Sequence, residues 1–108
     1  MTAKSIAKLT DAQLKPLLAH LPAWRMSRER GGTISREFVF LDFAQAWGFM
    51  SQVAVVAEKR SHHPEWSNVY NRVDVTLTTH DVDGLSMNDV ELARFMDQVA
   101  AALAGQAG

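Results

Sequence analysis

From Arg72 the chain alternates with a period of two: Val73, Val75 and Leu77 stand between Arg72, Asp74, Thr76 and Thr78. Successive side chains of an extended strand point to opposite faces, so this stretch has one apolar and one polar side. Such a strand has to pair its backbone with neighbours and cover its apolar side. Val69 and Tyr70 continue the alternation backwards, and His80 takes the polar parity at the C-terminal end.

The rest of the chain supplies partners and cover. Trp24 to Leu41 reads as a hairpin turned by Gly31-Gly32. Ile34, Arg36, Phe38 and Phe40 share one face of its second strand; Arg36 breaks the apolar pattern and is expected at a strand end facing solvent. Three helices are expected. The first begins at Thr10, an N-cap with Gln13 as its capping-box partner. Leu14, Leu17, Leu18 and Leu21 follow at helical spacing, Pro16 is expected near the first turn, and Pro22 ends the segment. The second begins at Asp42 and carries Phe43, Ala46, Trp47, Met50, Val53, Ala54 and Ala57 on one stripe. Phe49 and Val56 widen that stripe, so the helix is expected to meet a partner subunit as well as its own core. Glu58-Lys59-Arg60 forms its polar end and Pro64 stops it. Asp83-Gly84 makes a turn, and a final helix starts at Ser86 or Asn88, runs through Val90, Phe95, Met96, Val99 and Leu103, and ends at Gly105. The order implies an α+β fold, an antiparallel sheet with helices on one face, in a single domain over residues 1–108.

Composition narrows the function. A net charge of -1 does not suit a nucleic-acid binder, and the lack of cysteine removes disulfides, thiol nucleophiles and cysteine-held metals. No apolar run has the length of a membrane span, and the N-terminus has no secretory signal, so a cytoplasmic protein is expected. Neither GxGxxG nor GxxxxGK[ST] is present, which removes the usual phosphate cradles.

Two of the four histidines are adjacent, in SHHPEWSNVYNRV. A histidine at a helix C-terminus can simply complement the dipole. Neighbouring side chains point in different directions, however, so capping explains one imidazole better than two. Histidine titrates near neutral pH, and His62 and His63 at the mouth of a cleft suit proton transfer. Glu58, one helical turn before His62, is placed to orient that ring; the alternative is a solvated charge paired with Lys59 or Arg60. His80, at a strand end with Tyr70 on its parity, is the third candidate. His20 reads as a cap or surface residue. HExxH is absent, and adjacent histidines do not readily face one ion from a regular helix. Ser61 beside His62 is too local for a catalytic triad. Trp66, in a polar link, is placed to wall a pocket for a flat heterocycle.

Together, Glu58-x-x-x-His62-His63-Pro64-x-Trp66-x-Asn68-Val69-Tyr70-Asn71, Leu77-Thr78-Thr79-His80, Gly84-Leu85-Ser86 and Asp89 resemble the pterin-4a-carbinolamine dehydratase family, over about Leu9 to Ala104. The resemblance implies a lyase with no cofactor and no metal, which dehydrates 4a-hydroxytetrahydrobiopterin or a related 4a-hydroxytetrahydropterin to quinonoid dihydropterin. It links the chain to pterin recycling for an aromatic amino acid hydroxylase. It implies four antiparallel strands with three helices on one face, the extra strand coming from the segment around Trp66, and a homodimer or homotetramer. By the family's pattern, His62 and His80 are general acids toward the two faces of the pterin, and His63 binds substrate and assists as base. Glu58 supports the histidines, Thr79 contacts the ring, Pro64 and Trp66 shape the pocket, and Asp89 is a supporting group or helix-start anchor. Asn88 departs from the pattern, standing where some relatives carry a basic residue.

Two other readings stay open. Some members of the family serve as dimerisation partners and coactivators of a transcription factor; here that would rest on the apolar excess from Trp47 to Val56. A metal-dependent hydrolase built on the histidines is the third.

Overall fold

The computed structural model describes residues 6–106. Helix α1 (Asp11–Ala19) leads into strand β1 (Arg25–Ser27), a short 3-10 turn (Glu29–Gly31) and strand β2 (Thr33–Val39). Helix α2 (Phe43–Lys59) follows, then strands β3 (Glu65–Val69) and β4 (Arg72–Leu77), a second 3-10 turn (His80–Val82) and helix α3 (Met87–Gln106). The strands form one antiparallel sheet in the order β1-β2-β4-β3.

The alternation in β4 decides which face is covered. Val73, Val75 and Leu77 are buried, and the register sets them beside Phe38, Arg36 and Ile34 of β2. The opposite parity pairs Thr76 with Ser35 and Asp74 with Glu37, which makes a polar open face. Burying three such side chains contributes about 1.5–3 kcal/mol each. The helices supply the cover. Leu14 comes from α1, Ala46, Phe49 and Val53 from α2, and Val90, Leu92, Ala93, Met96 and Val99 from α3. Phe49 meets the rings of Phe38 and Phe40 at centroid distances of 4.6 and 4.9 Å.

Local signals behave as their chemistry requires. Thr10 and Gln13 form the reciprocal capping box, and Asp42 caps α2 by accepting the Gln45 N–H. His20 is the exposed C-cap of α1. Four expectations are corrected. Pro16 is the sixth residue of α1, in its second turn, where an exposed helix face tolerates the lost hydrogen bond. Arg36 is not at a solvent-facing strand end: it lies mid-strand on the helix side, 2.6 Å from Asp97 of α3 and 4.2 Å over the Phe38 ring. The stripe on α2 divides, because Ala46, Phe49, Val53 and Ala57 are buried while Phe43 and Trp47 are exposed, as is Val55 outside the stripe. Helix α3 runs one residue past Gly105.

The run from Val69 to Leu77 is two strands. Val69 pairs with Arg72 across a two-residue turn, with Tyr70 in the left-handed region (φ 51). Tyr70 is therefore an exposed turn residue, remote in role from His80. The fourth strand does come from the segment around Trp66. Among the described residues no helix is long and apolar enough to cross a membrane.

Candidate active site

The two helix termini that meet beside β4 build the site. Helix α2 ends in a motif that usually employs glycine. Ser61 adopts a left-handed conformation (φ 52) and donates its N–H to Glu58 O at 3.1 Å, and His62 donates its N–H to Ala57 O at 3.0 Å. These are the paired bonds of a Schellman motif, which satisfies the last carbonyls of a helix. His62 thus leaves α2 with a pinned backbone, and its side chain no longer follows helical spacing.

Helix α3 begins opposite. Ser86 caps it: its Oγ accepts the Asn88 N–H at 3.2 Å, and its own N–H donates to Asp89 Oδ2 at 3.0 Å. Asp89 is fully buried in the first turn, where the helix dipole favours a carboxylate. Thr79 Oγ1 also donates to Asp89 Oδ2, at 2.7 Å, and sits 2.7 Å from Ser86 Oγ. His62 Nε2 lies 2.7 Å from the other oxygen, Oδ1. With Asp89 as a carboxylate, which can only accept, His62 Nε2 is the donor of this bond. Among the described residues no buried side-chain polar atom lacks a partner.

His62, His63, Pro64, Thr79 and His80 line one cleft of about 360 Å³, together with Glu65 and Asn88. That volume lies within the range of small-molecule sites, about 300–1,000 Å³. Two larger hollows, about 470 and 490 Å³, lie on the open sheet face and between β2 and α3; neither is lined by a histidine. Chemistry rather than size therefore selects the smaller one. The three imidazoles differ in support. His63 is exposed and pairs with Glu58 at 2.8 Å. His80, also exposed, stands 3.5 Å from Glu65. Glu65 is in turn gripped by Arg30, whose Nη1 and Nη2 reach its two oxygens at 2.8 and 2.9 Å. The Arg30 hydrogen bonds hold the Glu65 carboxyl below its ordinary range, and the Arg30 guanidinium is correspondingly raised.

The expected residues fall into three groups. His62, His63, His80, Pro64 and Thr79 come together at the cleft. Glu58 does support a histidine, but it is His63 and not His62, because the chain turns at Ser61 before the helical spacing can bring His62 to it. Asp89 is the helix-start anchor, and it holds His62 from beneath the cleft. Trp66 does not line this cleft: on β3 it pairs with Val75 and packs against the core, while its neighbour Glu65 takes the cleft side. Sequence reasoning missed Glu65 and Arg30, and named Ser86 only as a possible helix start. Ser86 was signalled by the Ser-x-x-Asp spacing of a capping box; the Arg30–Glu65 pair, 35 residues apart, carried no local signal. Among the described residues no group of three or more histidine and carboxylate side chains is gathered closely enough to hold a metal.

Comparison with known proteins identifies the family. The sequence profile of the family described as pterin 4 alpha carbinolamine dehydratase matches residues 7–99. A relative from Novosphingobium aromaticivorans, named provisionally for that dehydratase, is 61% identical over 93 residues, 86% of this chain and 96% of its own. One from Burkholderia multivorans, named in the same way, is 53% identical over 96 residues, 89% and 93% of the two chains. A crystal structure from Brucella melitensis, described as a transcriptional coactivator/pterin dehydratase, shares 46% identity and a TM-score of 0.81, over 86% of this chain and 98% of that one. With the profile spanning the cleft and both helix termini that build it, the chain belongs to the pterin-4a-carbinolamine dehydratase family.

Proposed function

We propose that the chain is a hydro-lyase that converts 4a-hydroxytetrahydrobiopterin, or a closely related 4a-hydroxytetrahydropterin, to quinonoid dihydropterin and water. The observation that carries this reading is the convergence of His62, His63 and His80 on one cleft, with His62 fixed by a buried carboxylate. In the reaction the C4a–O bond breaks and the N5–H bond gives up its electrons to a new C4a=N5 double bond. One proton must reach the departing hydroxyl and one must leave N5. His62 and His80 act as acids toward the two faces of the ring, and His63 binds the substrate and takes the N5 proton. Glu58 and Asp89 orient the rings they touch, Pro64 shapes the cleft, and the Thr79 backbone borders the ring. Trp66 shapes the pocket indirectly, by fixing the strand that carries Glu65. Positioned proton transfer contributes typically about 10²–10⁴-fold.

The proposed setting is the cytoplasm, in service of an aromatic amino acid hydroxylase that forms the carbinolamine. The test is the decay of 4a-hydroxypterin absorbance with purified protein. We expect acceleration, and a fall of about 10²-fold for His63→Ala. Wild-type protein with an intact circular-dichroism spectrum and no acceleration would sink the reading.

A homodimer or homotetramer is proposed through the outer side of α2, on the strength of its exposed Phe43, Trp47 and Val55. Apolar side chains clustered at a surface favour association. Trp47→Glu is expected to lower the mass in solution; an unchanged mass removes the proposal. The same face, and not the histidine cleft, would be the surface for any coactivator role of the kind named for the Brucella protein.

A further inference from the structure

The observations lie at the exposed rim of the cleft. The His80 side chain is 75% exposed, so no wall of packed atoms holds its ring. Its carboxylate neighbour among the described residues is Glu65, whose Oε2 lies 3.5 Å from Nε2. That same oxygen accepts from Arg30 Nη1, while Oε1 accepts from Nη2. A bidentate guanidinium fixes both the place and the plane of a carboxylate.

Arg30 reaches Glu65 from a fastened base. It sits in the turn between β1 and β2 in a left-handed conformation (φ 52). The next residue, Gly31, presses against the loop that follows His80: a Cβ there would fall 1.8 Å from Asp83 O. Gly84 returns the contact, with its own Cβ position 2.7 Å from Gly31 O. Thr78 Oγ1 closes the joint by donating to Gly32 O at 2.7 Å. The hairpin turn and the His80 segment are thus locked backbone to backbone.

We infer that Arg30 and Glu65 are positioning residues for His80, a clamp that holds its imidazole over the cleft. The inference rests on the dehydratase reading of the site. The competing role for Glu65 is direct contact with substrate, and the split between kcat and KM separates the two.

The test compares kcat and KM for dehydration in wild type, Arg30→Gln and Glu65→Gln, each also in a His80→Ala background. Each substitution is expected to lower kcat about 10-fold with KM within about twofold, since a misplacement of ~1 Å costs up to ~100-fold. In the His80→Ala background neither is expected to lower kcat further, because there is no ring left to position. A loss that persists in that background, or a raised KM with unchanged kcat, overturns the clamp. A second measurement does not depend on activity: three-bond couplings of His80 χ1 by NMR. They should report one dominant rotamer in wild type and averaging in either variant; couplings unchanged by the substitutions overturn the inference. If wild type accelerates no dehydration, the dehydratase reading fails and these couplings alone decide the clamp. If wild type is active and both variants match it, the clamp fails and the reading stands.

Discussion

His62 and His80 face one cleft, yet the protein holds them by opposite means. The His62 side chain is 11% exposed, and its carboxylate partner is fully buried under hydrogen bonds from Thr79 and Ser86. The His80 side chain is 75% exposed and is steadied by a carboxylate that is itself half in water. Burial makes the first arrangement costly to disturb, since any partner left behind has no solvent to turn to. The second is screened and cheap to disturb, as exposed ion pairs generally are. One site thus carries a ring that is part of the fold and a ring that is attached to it. Precision at His62 is inseparable from stability; at His80 it is adjustable.

The largest expected effect breaks the first of these. Asp89→Ala leaves the His62 Nε2–H, the Thr79 hydroxyl and the Ser86 N–H without their acceptor. Urea unfolding is expected to show a loss of about 3 kcal/mol. Glu65→Ala, which removes the corresponding carboxylate at His80, is expected to cost less than about 0.5 kcal/mol. Equal losses would remove the contrast between the two supports.

That contrast was half legible in the sequence. The histidines, the strand end and the helix start that gather at the cleft were marked by composition and by punctuation: Asp42, Pro64, Asp83-Gly84, the period of two in β4. What could not be read was contact across sequence distance. His62 and Asp89 are 27 residues apart, and Arg36 and Asp97 are 61 apart, so an arginine that stabilises the core looked like a fault in a strand. Turns were the other blind spot. Ser61 and Tyr70 both adopt the left-handed conformation that glycine or asparagine usually signals. Neither announced itself, so β3 merged with β4 and helical spacing was extended past the end of α2, pairing Glu58 with His62 instead of His63. Trp66 was misplaced for the same reason: in a strand it alternates with Glu65, and only one of them can face the cleft.

A smaller effect sharpens the comparison from within the buried side. Ser86 joins two functions, capping α3 and completing the hydrogen-bond chain to Thr79 and Asp89. Ser86→Ala is expected to cost about 1 kcal/mol, the usual value of an N-cap side chain. Ser86→Thr, which keeps the hydroxyl, is expected to recover most of it if the extra methyl is accommodated. Loss of the cap alone leaves His62 bonded to Asp89, so the proposed dehydration rate should fall much less than in Asp89→Ala. A rate loss as large as that of Asp89→Ala would mean that the chain of hydroxyls, and not the carboxylate, holds His62.

The smallest effect belongs to pH, and its sign follows from Glu65. Arg30 holds this carboxyl below its ordinary range, so the folded state favours its ionised form. The resulting contribution is fully present above the unfolded carboxylate value, about 4.3, and is lost as pH falls through the lower folded value. The raised Arg30 value works in the alkaline direction: its contribution is present below the unfolded guanidinium range and is lost only as pH rises through the folded value. Between about pH 5 and pH 8 both groups are therefore charged and the Arg30–Glu65 pair is constant. Urea midpoints of wild type and Glu65→Gln should differ by the same small amount across that interval, and the gap should close below about pH 4. A gap that changes between pH 7 and pH 5 would point to a histidine, and not the carboxylate, as the group whose charge controls the rim.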